Sequence, residues 1–69
     1  MNTRLLNSQP WRFKIGALVY VRGWPAGETG RVTAYVTDLP FPHYLVVDYV
    51  GIEWQIAQVE LSRRPLLHE

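Results

Sequence analysis

Sixty-nine residues without a cysteine make one domain with a small core and no disulfide or thiolate metal site to reinforce it. The formal net charge of +1 supplies no strong pull on nucleic acid, and no apolar run reaches the roughly 20 residues of a membrane-spanning helix. Yet 48% of the residues are hydrophobic, with three Trp, four Tyr and two Phe, so a homo-oligomer that buries a second face is expected.

Residues 1–12 read as a flexible lead-in, polar and interrupted by Pro10, with Leu5 and Leu6 available for docking and Trp11 to Phe13 placed to pack across a barrel end. The segment lacks the long apolar core and cleavage site of a signal peptide, so a cytoplasmic protein is expected. Residues 13–62 read as the barrel and residues 63–69 as a polar tail, with Pro65 opposing further structure.

The first strand is predicted over about Ala17 to Arg22, with Val19 and Val21 on one face and Leu18 and Tyr20 on the other. Gly23, Pro25 and Gly27 punctuate a turn. The second strand runs from about Gly30 to Thr37, and Val32, Ala34 and Val36 continue the alternation. Pro40 and Pro42 make residues 38–43 a loop, because neither can donate to a ladder. Tyr44 to Val50 is the richest in strand formers. Its apolar residues on both faces predict that both are covered. Gly51 marks a turn, and Glu53 to Ala57 forms a fourth strand with Trp54 and Ile56 on one face. Gln58 to Leu61 reads as a helical turn or a short last strand, with Val59 and Leu61 closing the core. The fold class is all-β, a small SH3-like barrel of about five short strands. An OB-fold ranks second, since it needs more chain and a helix between strands.

Gly16-x-x-Val19-x-Val21, then Gly23 and Gly27-x-Thr29-Gly30-x-Val32, resembles the KOW motif of ribosomal and transcription-elongation proteins over about a quarter of the chain. The resemblance implies a strand–turn–strand on an SH3-like barrel that contacts RNA or protein. Trp24, Pro25, Ala26 and Glu28 stand where basic residues are common in that family.

A longer and weaker similarity joins Phe13, Gly16, Val19, Gly30, Val32, the run Tyr35 to Leu39, Tyr44, Val46 and Gln55-Ile56 to the plasmid-borne type II dihydrofolate reductases. That resemblance implies four SH3-like chains around one pore, with NADPH and dihydrofolate bound on the pore wall. Gln55 and Ile56 match the family's Val-Gln-Ile-Tyr segment, Trp54 and Ala57 depart from it, and Arg22 falls near the position of its lysine.

Read by themselves, Trp24 and Phe41 sit in Pro-rich turns where large aromatics are not core by default. With Tyr35, Arg22 and Arg31 they make a candidate surface for a protein or nucleic-acid partner. The same arginines serve equally as solvated surface, offset by Glu28, Glu53, Glu60, Asp38 and Asp48. Gln55 is either a ligand-binding amide or the polar residue of a half-buried strand. Asp48, in an apolar strand, is expected to pair with Arg22 or Arg31. His43 and His68 have no acidic or cysteine companions at ligand spacing, so no metal is expected. The function expected is a non-enzymatic, self-associating binding module without a cofactor. The alternative is an NADPH-dependent dihydrofolate reductase using Gln55 and Ile56, with Arg22 near the cofactor.

Overall fold

Five antiparallel strands form one sheet in the computed structural model, which describes residues 11–65. They are β1 (Leu18–Val21), β2 (Thr29–Val36), β3 (His43–Val47), β4 (Glu53–Ala57) and β5 (Leu61–Ser62), with one 3-10 turn over Gln58–Glu60. The spatial order is β4-β3-β2-β1-β5. The all-β class is as the sequence predicts, but no ladder joins β4 to β5. The sheet stays open there, and both are edge strands. Expectations for residues 1–10 and 66–69, among them Leu5, Leu6 and His68, lie outside the described residues.

One face of the sheet carries the core: Phe13, Val19, Val21, Val32, Tyr44, Val46 and Leu61. Cross-strand partners share a face, so the register explains the membership. Val32 lies opposite Val46, and Val46 opposite Trp54; Val21 lies opposite Leu61. Phe13 enters from the lead-in and is fully buried, with the Arg12 and Arg63 guanidinium carbons 5.5 and 5.0 Å from its ring centroid.

Tyr44 anchors this layer. Its buried hydroxyl accepts the Arg12 and Phe13 backbone N–H groups at 2.9 and 3.2 Å and donates to the Gln58 side-chain oxygen. One oxygen therefore ties the lead-in, β3 and the 3-10 turn together.

The alternation predicted through Val32, Ala34 and Val36 is broken by a bulge. Val32 pairs with Val46 but Ala34 pairs with Leu45, which leaves Thr33 as the extra residue. The Thr33 hydroxyl lies 3.2 Å from both the Leu45 carbonyl oxygen and Glu53 Oε2. Past the bulge the faces exchange. Ala34 and Val36 turn outward, and Tyr35 reaches the core side, its ring 4.7 Å from Trp11 and 5.7 Å from Tyr44.

The third strand ends earlier than predicted, at Val47. The Asp48 carboxylate takes the Val50 and Ile52 backbone N–H groups at 3.1 and 2.8 Å, which competes with ladder formation. Gly51, at φ 94°, completes a three-residue hairpin loop that needs a left-handed residue there. Val59 is also corrected: it is 77% exposed on the 3-10 turn, and Leu61 alone of that pair enters the core.

Candidate functional site

The other face of the sheet follows from the same register. Leu18, Arg31, Val47 and Glu53 form one row across four strands. Ala34, Leu45 and Gln55 form a second, and Val36, His43 and Ala57 a third. Six of these ten side chains are aliphatic; Ala34, Val36, Leu45, Val47 and Ala57 are half-buried, and no helix or second sheet among the described residues stacks on them. Leu18 is 55% exposed. A groove of about 320 Å³ runs over this face beside Leu18, Arg31 and Val47. The expectation that both faces of β3 are covered is therefore met only on the core side.

Strand β4 borders this face, and among the described residues no strand pairs with its other edge. Asp48 N donates to Ile52 O and Gln58 N to Pro42 O, each at 2.9 Å. In an antiparallel ladder hydrogen-bonded pairs alternate with non-bonded ones. Trp54 and Ile56 therefore turn their backbone groups to β3. Glu53, Gln55 and Ala57 turn theirs outward, and their side chains lie on the uncovered face. The edge carries no lysine, proline or bulge, the usual devices that block strand addition.

At one end of β4 a groove of about 520 Å³ opens between Phe41 and Val59, floored by Pro42, His43, Ala57 and Gln58. Phe41 is 70% exposed. The His43 Nδ1–H donates to the Phe41 carbonyl at 2.8 Å, because a carbonyl can only accept. At the other end the hairpin tip holds Tyr49, Val50 and Ile52 in solvent.

The residues named from sequence are distributed over the molecule. Trp24 folds back onto the sheet, edge-on to Trp54 at 6.1 Å. Tyr35 belongs to the Trp11–Tyr44 aromatic group. Phe41 forms a wall of the larger groove. Arg22 Nε is 3.2 Å from Glu60 Oε1 in an exposed ion pair, and Arg31 donates to the Gly16 carbonyl at 2.8 Å. Gln55 is exposed on the outer face, while Ile56 turns to the core side.

Asp48 pairs with neither arginine. It accepts the Trp54 indole N–H at 2.9 Å, and this bond, chiefly, holds its carboxyl below the ordinary value. Partial desolvation opposes the shift, and the backbone N–H groups of Ile52, Val50 and Gly51 add to it. The sequence placed a turn at Gly51 but put Asp48 inside the strand, although an Asp three residues before a Gly is a turn signature. Sequence reasoning also missed Val59 and the free edge, which is a property of strand order.

Among the described residues, no group of three or more His, Cys, Asp or Glu is placed to hold a metal ion, and no helix is long and apolar enough to cross a membrane. Compared with family models, curated proteins and solved structures, the chain matches none.

Proposed function

We propose that this chain is a non-enzymatic assembly module of SH3-like type that associates with further copies of itself. The observation that carries the reading is the outer sheet face, where Leu18, Ala34, Val36, Leu45, Val47 and Ala57 lie in adjoining rows with no covering layer among the described residues. Covering apolar area contributes about 25 cal/mol per Å², the main driving force for such association. The groove between Phe41 and Val59 offers an additional apolar contact, which suits a protein partner better than a nucleic acid at a net charge of +1. Light scattering tests the reading: the full chain gives a multiple of 8.0 kDa, and Leu45→Lys lowers that mass. A single-chain mass at every concentration contradicts it.

A second reading, a pore-type NADPH-dependent dihydrofolate reductase, has one observation in its favour. Gln55 stands exposed on the uncovered face, where several chains could each present its amide to a shared ligand. Ala57 supplies no aromatic ring beside it. Titration with NADPH and dihydrofolate separates the two readings: saturable binding lost in Gln55→Ala supports the enzyme, and no binding by the assembled protein removes it.

A further inference from the structure

Among the described residues the outer face has no covering layer and the outward edge of β4 has no paired strand, so the edge offers a second copy a place to add. We infer that two chains pair antiparallel through β4 about a two-fold axis at Gln55, an inference that rests on the self-association proposed above.

The backbone fixes the register. The outward N–H and C=O groups belong to Glu53, Gln55 and Ala57, as the alternation of the β3–β4 ladder requires. With the axis at Gln55, that residue faces itself and exchanges two hydrogen bonds with its copy. Glu53 then faces Ala57 of the second copy, and Ala57 faces Glu53. Every outward backbone group of the strand is satisfied in this one arrangement.

The side chains agree with that register. On the outer face the one residue that meets its own copy is Gln55, whose amide carries both donors and an acceptor and so pairs with itself. The strand's single charge, Glu53, faces an alanine rather than a second carboxylate, so no like charges oppose across the seam. It is also held toward its own chain by the Thr33 hydroxyl at 3.2 Å. On the core side Trp54, 46% exposed, comes opposite Ile56 of the second copy, an aromatic–aliphatic pair that covers both. Moving the axis to Trp54 or Ile56 pairs the outward groups of only two of these residues, Glu53 with Gln55 or Gln55 with Ala57, and leaves the third without a strand residue opposite.

Pairing in this way joins the two sheets edge to edge. The outer faces of both chains end on the same side, with the Gln55 pair and two Glu53–Ala57 pairs between their aliphatic rows. The edge alone is smaller than the roughly 800 Å² per partner of a standard interface, so the pairing depends on concentration and is reinforced when the outer faces are covered.

The absence of cysteine makes the register directly measurable. The chains used are Gln55→Cys, Glu53→Cys and Ala57→Cys in the 69-residue chain, with the mass of the unsubstituted chain measured in parallel. All three positions are solvent-facing or half-buried on an edge, so the fold tolerates them. Cα atoms of a hydrogen-bonded pair lie about 5.5 Å apart, within disulfide range. On mild oxidation Gln55→Cys links to itself. Glu53→Cys and Ala57→Cys link when mixed and not when alone, because each lies roughly 13 Å from its own copy. An assembled protein in which Gln55→Cys stays unlinked, or in which Glu53→Cys links to itself as readily as to Ala57→Cys, overturns the β4 pairing while self-association through another surface stands. A single-chain mass overturns both, and the edge is then left to an extended segment of a different protein.

Discussion

The indole N–H of Trp54 donates to the Asp48 carboxylate at 2.9 Å across the β3–β4 turn. The other carboxylate oxygen takes the Val50 and Ile52 N–H groups, so a single side chain closes the hairpin and orients the tryptophan. Trp54 in turn meets Trp24, which lies over Gly30.

Removing this acceptor loosens the turn. Asp48→Ala lowers the urea midpoint and raises amide exchange at Val50 and Ile52, with the slope of the transition unchanged. The pH dependence has a definite sign. The folded carboxyl titrates below its ordinary value, so its contribution is complete above the ordinary carboxylate range. It is lost as pH falls through the lower folded value. Unfolding followed from pH 7 to acid shows that loss in the unsubstituted chain, and a smaller one in Asp48→Ala.

Tyr44→Phe tests the anchor of the core. The ring stays, but the Phe13 N–H is left buried without an acceptor, at a cost of about 1–3 kcal/mol. Equilibrium unfolding measures it, and a loss under about 0.5 kcal/mol, the range of an ordinary surface change, contradicts the role assigned to the hydroxyl.

Gly30→Ala tests the close approach of Trp24. A Cβ there overlaps Val46 Cγ1 and comes within 3.1 Å of the Val47 carbonyl oxygen and 3.2 Å of the Trp24 ring. Overpacking of this kind costs about 1–3 kcal/mol, read as a lower Tm together with a change in tryptophan fluorescence.

Val59→Ser separates surface from core. The side chain is 77% exposed on the groove wall, so stability changes by no more than about 0.5 kcal/mol. A core residue at this position would cost several times as much.

These residues also show how far the sequence could be read. Val19 and Val21 alternate in a short strand, and the structure buries both, because period-two patterning reports a face directly. Glu53 to Ala57 is bounded by turn residues on one side and has the predicted ends. Thr33 carries no comparable mark. A bulge is a feature of the pairing between two strands, so the exchange of faces at Tyr35 could not be read from β2 alone. Asp48 looked like a strand residue because its neighbours are strand formers, yet its carboxylate competes for the backbone and wins. The candidate sites divide in the same way. Phe41, flanked by prolines, is exposed as its setting suggests, whereas Trp24 is drawn onto Gly30, a contact set by the fold of the turn. The free edge of β4 depends on strand order, and no residue within the strand announces it.

The role proposed for this chain is an assembly of its own copies. Light scattering on the unsubstituted protein, from micromolar to millimolar concentration, tests it most directly. Self-association gives a mass that rises with concentration to a multiple of 8.0 kDa. A mass of 8.0 kDa throughout would contradict it, leaving the outer face and the β4 edge without the partner assigned to them.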